Sequence, residues 1–204
     1  MIELYAFATP NSVKVTIALE ELGIPYSLKA VDLRKAEQKS DWFTALNPNG
    51  KVPVIVDDAH ESPLGLSESG AILVYLAEKH HALLPSGGEA RARVFEQLYF
   101  HASGLGAAFG SAFMSRKAAP EIAAKAVAEA QRTLAVLDGV LASHEYVAGN
   151  ELTIADIAHF GWIWRHEAVG VDLASVPHVT RWMAALNARE GFARGIAKTI
   201  ALAS

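Results

Sequence analysis

The chain has 204 residues with 51% hydrophobic and 20% charged residues, enough for one large domain or two small ones, each with a proper core. Its net charge of −4 argues against nucleic acid as a main partner, and no apolar run reaches the roughly 18 residues of a membrane span. It has no cysteine, which excludes disulfides, thiolate metal sites and a protein thiol nucleophile, so any thiol chemistry must use a thiol carried in by a ligand.

Residues 2–7 predict a short apolar strand. The opening Met1-Ile2-Glu3-Leu4 lacks the basic start and long apolar core of a signal peptide, so a cytoplasmic location is expected. Thr9-Pro10-Asn11-Ser12 follows, with Thr9 suited to an N-cap and Pro10 to the first helical position. Val15, Ala18, Leu19 and Leu22 then carry helical spacing, which Gly23 and Pro25 stop. Residues 26–33 predict a second strand, and two strands joined by a helix imply a parallel βαβ unit. A polar segment at 34–41 leads into a short helical piece around 42–46.

The stretch 47–72 carries the densest signal. Asn49-Gly50 marks a turn, and Val54-Ile55-Val56 is a short β run ended by Asp57-Asp58. Pro53 offers no amide to a ladder, and an X-Pro bond costs only about 0.5–1 kcal/mol to invert. A cis Val52–Pro53 bond would leave the backbone of Val52 free to pair with a peptide-like ligand. A further strand is expected at 61–66. Ser67-Glu68-Ser69 then opens an amphipathic helix carrying Ile72, Tyr75, Leu76 and Lys79. A helix start with a hydroxyl and free amides binds carboxylates, and Glu68 beside it can bind an ammonium. A backbone reader, a carboxylate site and an ammonium site together suit a small zwitterionic peptide. Taken alone, the same residues also read as a proline-started strand, a turn and a capped helix.

Pro85-Ser86-Gly87-Gly88 falls in a linker at 81–89, and alanine-rich helical periodicity follows from residue 90. One long helix is expected over 90–116 and another over 120–142, with Val127, Ala130, Leu134, Leu137 and Leu141 on one stripe. Leu152-Thr153-Ile154-Ala155-Asp156-Ile157 opens an almost wholly apolar helix, with Thr153 and Asp156 spaced as a capping box, which reads Asp156 as a structural cap and not a catalytic acid. Pro177 starts another helix, and a last one is expected over 192–203. His159 and His166 find no third ligand at matching spacing, so no metal is expected.

The order β-α-β-α-β-β-α over the first eighty residues is the thioredoxin-like arrangement, giving an α+β chain: a thioredoxin-like domain at 1–80, the linker, and an all-α domain at 90–204. Where that fold carries its redox cysteines, Thr9-Pro10-Asn11-Ser12 stands here. A thioredoxin-like domain without cysteines, followed by an all-helical domain, resembles the cytosolic glutathione transferases along essentially the whole chain. The motifs are Leu4-Tyr5, Asn47-Pro48-Asn49-Gly50-Lys51-Val52-Pro53, Glu68-Ser69-Gly70-Ala71-Ile72 with Tyr75-Leu76, and Leu152-Thr153-Ile154-Ala155-Asp156. Ala8-Thr9-Pro10-Asn11 with Lys14-Val15, and Asp32-Leu33 with Glu37-Gln38, look like the bacterial nu class and the related transferase-like domain of a yeast nitrogen regulator.

The resemblance implies glutathione as co-substrate, no metal, and a small hydrophobic electrophile, disulfide or peroxide as second substrate. It implies that Val52, beside a cis Pro53, pairs with the cysteinyl backbone. Glu68 and Ser69 would hold the γ-glutamyl end, Gln38 and Lys51 the glycine end, and Thr9 and Asn11 would face the sulfur. A free thiol near pKa 8.5 is only about 3% ionised at pH 7, and lowering it by about two units needs roughly 2.7 kcal/mol of preferential thiolate binding. A hydrogen bond or two at a helix start can supply that, from Thr9, from Asn11 or from both. Tyr5, the early tyrosine, lies inside the first strand. The family also implies a homodimer and an electrophile pocket lined by Phe100, Phe109, Phe113 and Met114. The competing expectation is a glutathione-binding regulatory protein with little turnover.

Overall fold

The computed structural model describes residues 1–59 and 61–204. Its internal contacts divide the chain into two compact units, Met1–Ala82 with Arg189–Ser204, and Leu83–Ala188.

The first unit is built on a four-stranded sheet in the order β2-β1-β3-β4, with β1 at Ile2–Ala6, β2 at Tyr26–Ala30, β3 at Val54–Asp57 and β4 at Leu64–Ser67. β1 and β2 run parallel, with Ile2 opposite Tyr26. β3 is antiparallel to both β1 and β4, with Tyr5 opposite Val54 and Val54 opposite Ser67. Ile2, Leu4 and Ala6 alternate into the core, as a half-buried strand should. β2 is shorter than the 26–33 expected. The Val31 amide still reaches the Ala6 carbonyl at 2.9 Å, but the Asp32 side chain then accepts from the Arg34 amide and starts a 3-10 turn, Leu33–Lys35. Ala36, at φ 57°, passes the chain into a second such turn, Glu37–Lys39. The expected strand at 61–66 is found at Leu64–Ser67.

α1, Pro10–Glu21, joins β1 to β2. Thr9 caps it, accepting from the Ser12 amide at 3.1 Å. Gly23, at φ 64°, closes it: its amide reaches the Glu20 carbonyl and the Ile24 amide reaches that of Leu19. α2, Asp41–Leu46, precedes β3, and α3, Ser69–His80, follows β4. Ile72 and Leu76 of α3 are fully buried. On the same face, Tyr75 and Lys79 reach the buried carboxylate of Asp57. The unit is completed by α9, Glu190–Ala201, which lies against α1. A Cβ on Gly195 would stand 2.7 Å from the Ile17 amide nitrogen, so the two helices approach backbone to backbone. Thr16 and Thr199 meet there with hydroxyls 2.6 Å apart.

The second unit is helical. The long helix expected over 90–116 is α4, Gly88–Phe100, and α5, Gly106–Ser115, joined through a π-helical segment, His101–Leu105. Gly106 is obligatory there, because a Cβ would meet the His101 carbonyl at 2.8 Å. α6, Pro120–Leu141, buries the stripe Ala130, Leu134, Leu137 and Leu141. α7, Ile154–Ile163, is buried on nearly every side, and α8, Pro177–Asn187, buries Val179, Trp182, Met183 and Leu186. The capping box at Thr153 and Asp156 is present. Asp156 does more than cap: its carboxylate also accepts from the Val147 amide and from Trp182 Nε1, each at 2.9 Å.

Candidate functional site

Three pieces of the first unit converge on one cleft: the start of α1, the loop before β3, and the start of α3. Its lining is Asn11, Asn47, Lys51, Val52, Pro53, Glu68 and Ser69. Its volume is about 50 Å³. That holds one charged terminal group and not a whole tripeptide, so a longer ligand would anchor one end here and lie across the mouth.

The loop is shaped from within. Asn47 is buried; its amide donates to the Lys51 carbonyl at 2.7 Å and its Oδ1 accepts from the Asn49 amide at 3.0 Å. The Gly50 amide closes the turn on the Asn47 carbonyl at 2.8 Å. Gly50 sits at φ 61°, and a Cβ there would come within 2.9 Å of the Gln38 carbonyl. Gly50 is thus required both by its backbone angle and by the close approach of the Glu37–Lys39 turn. The loop ends in a cis Val52–Pro53 bond, and both residues are buried. The pairing of β3 with β1 begins at Val54, so Val52 lies beyond the ladder.

α3 begins without a side-chain cap. Its first amides have no intrahelical carbonyl to meet, which leaves the positive end of the helix dipole at the cleft beside the Ser69 hydroxyl. Glu68, immediately before it, holds φ 67° and ψ 112°. A non-glycine residue in that region costs on the order of 1–3 kcal/mol, and such residues cluster at ligand clamps. The exposed Glu68 carboxylate and the Ser69 hydroxyl with its amides therefore offer adjacent sites for an ammonium and a carboxylate.

At the start of α1 the two candidate thiol partners differ. The Thr9 hydroxyl accepts from the Ser12 amide and donates to Ser12 Oγ at 2.9 Å, so its proton is engaged in the cap. Asn11 lines the cleft, and its Oδ1 accepts from Lys14 Nζ at 2.8 Å. Lys14 is buried, which pulls its ammonium down to about 7 although the charge of Glu68 favours the proton.

Six of the eight residues expected at the site thus line one cleft: Asn11, Lys51, Val52, Pro53, Glu68 and Ser69. Thr9 and Gln38 fall outside that lining; the Gln38 carbonyl lies against Gly50 of the loop before β3. Tyr5 points to Glu3, whose carboxylate accepts from its hydroxyl at 3.0 Å. Sequence reasoning missed two residues. Asn47 was legible in principle, because Asn at a turn bonds the backbone two residues on. Lys14 was not, since a lysine on an amphipathic helix ordinarily faces water. Of the residues expected to line a second pocket, Phe109 is buried, whereas Phe113 and Met114 are exposed. A larger groove of about 670 Å³ opens between α4 and the segment 143–149 that follows α6, but Arg93 within it is paired with Glu89 and Glu96. Among the described residues no cluster of three or more His, Asp or Glu could hold a metal, and no helix is long and apolar enough to cross a membrane.

Residues 8–79 match the N-terminal domain of glutathione S-transferases and residues 100–190 match the C-terminal domain. The disulfide-bond oxidoreductase YfcG of Escherichia coli is 36% identical over 97% of this chain and 95% of its own. The disulfide-bond oxidoreductase YghU of the same organism is 37% identical over 95% of this chain and 73% of its own. A glutathione transferase family member from Pseudomonas fluorescens, crystallised with two glutathione molecules bound, superposes with a TM-score of 0.90 at 38% identity, covering 96% of this chain and 92% of that one. With a thioredoxin-like unit and a helical unit matching in order, this chain belongs to the glutathione S-transferase family.

Proposed function

We propose that this protein binds glutathione at the cleft and activates its thiol, for conjugation to an electrophile or for glutathione-dependent reduction of a disulfide or peroxide. The observation that carries this reading is the convergence of Asn11, Val52, cis Pro53, Glu68 and Ser69 on one cleft. Glu68 and Ser69 take the γ-glutamyl ammonium and carboxylate, the group that the small cleft admits. Val52 pairs with the cysteinyl backbone, and Lys51 and Gln38 meet the glycine end. Asn11 is the residue that meets the sulfur; Thr9 serves mainly as the cap that fixes the start of α1.

With no cysteine in the chain, disulfide reduction needs two glutathione thiols. One thiolate attacks the disulfide and releases one substrate thiol. A second glutathione resolves the mixed disulfide, releasing the other thiol and oxidised glutathione. The Pseudomonas fluorescens relative with two glutathione molecules bound, and the Escherichia coli relatives named as oxidoreductases, favour this branch. The family resemblance favours a cytoplasmic homodimer, which sedimentation velocity tests.

Calorimetric titration with reduced and oxidised glutathione, followed by an assay on a small dialkyl disulfide, tests the function. Binding with turnover is expected. Binding without turnover on disulfide, peroxide and electrophile substrates would make this a regulatory glutathione-binding protein, and absence of binding would reduce the cleft to architecture. Ser69→Ala removes a hydroxyl at the carboxylate site, and we expect roughly tenfold weaker glutathione binding. Unchanged affinity would sink the assignment of Ser69.

A further inference from the structure

Lys14 lies one helical turn beyond Asn11, so the two share a face of α1. Only 2% of Lys14 is exposed, and it stands behind the cleft, not in its lining. Its Nζ donates to Asn11 Oδ1 at 2.8 Å. While protonated, Lys14 has three donors and no acceptor, so the oxygen is the pole of the amide that faces it. The Nδ2 hydrogens are then turned to the other side, and Asn11 is a lining residue of the cleft. A buried cation is costly unless it is met by an acceptor, and Asn11 Oδ1 is one that meets it here. The charge of Glu68, which also lines the cleft, favours the protonated form.

We propose that Lys14 is a positioning residue for thiol activation: it holds the Asn11 amide with its N–H groups toward the sulfur of bound glutathione. The proposal rests on the cleft being the glutathione site and on Asn11 being the partner of the sulfur. Lys14 touches neither the thiol nor its proton, which leaves to solvent; it acts through Asn11. Without it, the amide can turn its oxygen to the sulfur, which repels a thiolate.

The thiol pKa of glutathione bound to the protein, followed by the ultraviolet absorbance of the thiolate against pH, tests this. Asn11→Ala and Lys14→Met should each raise that pKa by about one unit, the effect of losing one hydrogen bond to a charged group. The double variant should match Asn11→Ala alone, because Lys14 has nothing left to orient. Lys14→Arg, which still donates to Oδ1, should restore most of the shift. If Lys14→Met leaves the thiol unchanged while Asn11→Ala raises it, the proposal falls and the site reading stands. If the double variant is additive, Lys14 acts by its own charge and the positioning role is overturned. If Asn11→Ala also leaves the thiol unchanged, the reading of Asn11 has failed and the proposal with it. Thermal unfolding checks each variant, and Lys14→Leu replaces Lys14→Met should the latter not fold.

Discussion

Lys14 has a signature in stability that is independent of any ligand. An unfolded lysine titrates near 10.4, whereas burial brings Lys14 down to about 7 in the folded chain. Between those values the unfolded chain holds a proton that the folded chain has released. Folding stability from this group therefore rises with pH between about 7 and 10, and the full desolvation penalty is present below 7. Lys14→Met removes the penalty. In urea titrations the stability of Lys14→Met relative to the parent should be greatest at pH 7 and below and should fall as pH rises toward 10. A gap independent of pH would show that Lys14 is not desolvated. A buried charge that destabilises the fold yet orients a residue of the cleft is the trade expected where local rules are broken for function.

At the scale of single elements, the loop before β3 and the start of α3 rest on positions that tolerate little change. Gly50→Ala would force an alanine to φ 61° with its Cβ 2.9 Å from the Gln38 carbonyl. We expect a loss of about 1–3 kcal/mol in thermal or urea unfolding, and weaker glutathione binding in calorimetry as Lys51 and Val52 shift. Asp57 ties β3 to α3. Burial alone would raise its carboxyl, but Lys79, Tyr75 and the Ala59 amide overcome that and hold it at about 2. Its folded value lies below the unfolded one near 3.9, so its contribution is complete above pH 4 and is lost as pH falls to about 2. Asp57→Asn should cost about 2–3 kcal/mol at neutral pH and almost nothing near pH 2, read from acid unfolding curves. Much at this scale was legible in the sequence because its chemistry is local. Thr9 caps, Gly23 stops a helix, Asn-Pro-Asn-Gly turns, and Thr153 with Asp156 forms a box, each through neighbours a few residues away. The shortening of β2 was not, since it depends on the Asp32 carboxylate claiming the Arg34 amide. Neither was the π segment at His101–Leu105, where helical periodicity continues on both sides and conceals the extra residue.

At the scale of the molecule, contacts made far apart in sequence decide what single residues could not announce. Gly195 and Thr199 look ordinary in a helix, yet they form the face on which α9 meets Ile17 and Thr16 of α1. Arg189 pairs with Glu21, and Arg194 and Lys198 with Glu20, along the same seam. Gly195→Ala should separate the helices and destabilise the protein by about 1–3 kcal/mol, the range for overpacking a tight site. Chemical denaturation checks this, and an unchanged midpoint would mean that the helix pair slides to make room.

The first unit is closed by its last helix, and that orders events during synthesis. Met1–Ala82 leaves the ribosome early with the cleft residues in hand but without Arg189–Ser204. About a hundred residues of the second unit must be made before α9 arrives, and at about 5–20 residues per second that is roughly 5–20 s. Through that interval Ile17 and Thr16 lack α9, which they meet in the finished fold. The nascent first unit is therefore an incomplete fold awaiting its final strip, and the second unit, whose residues are contiguous, can finish first.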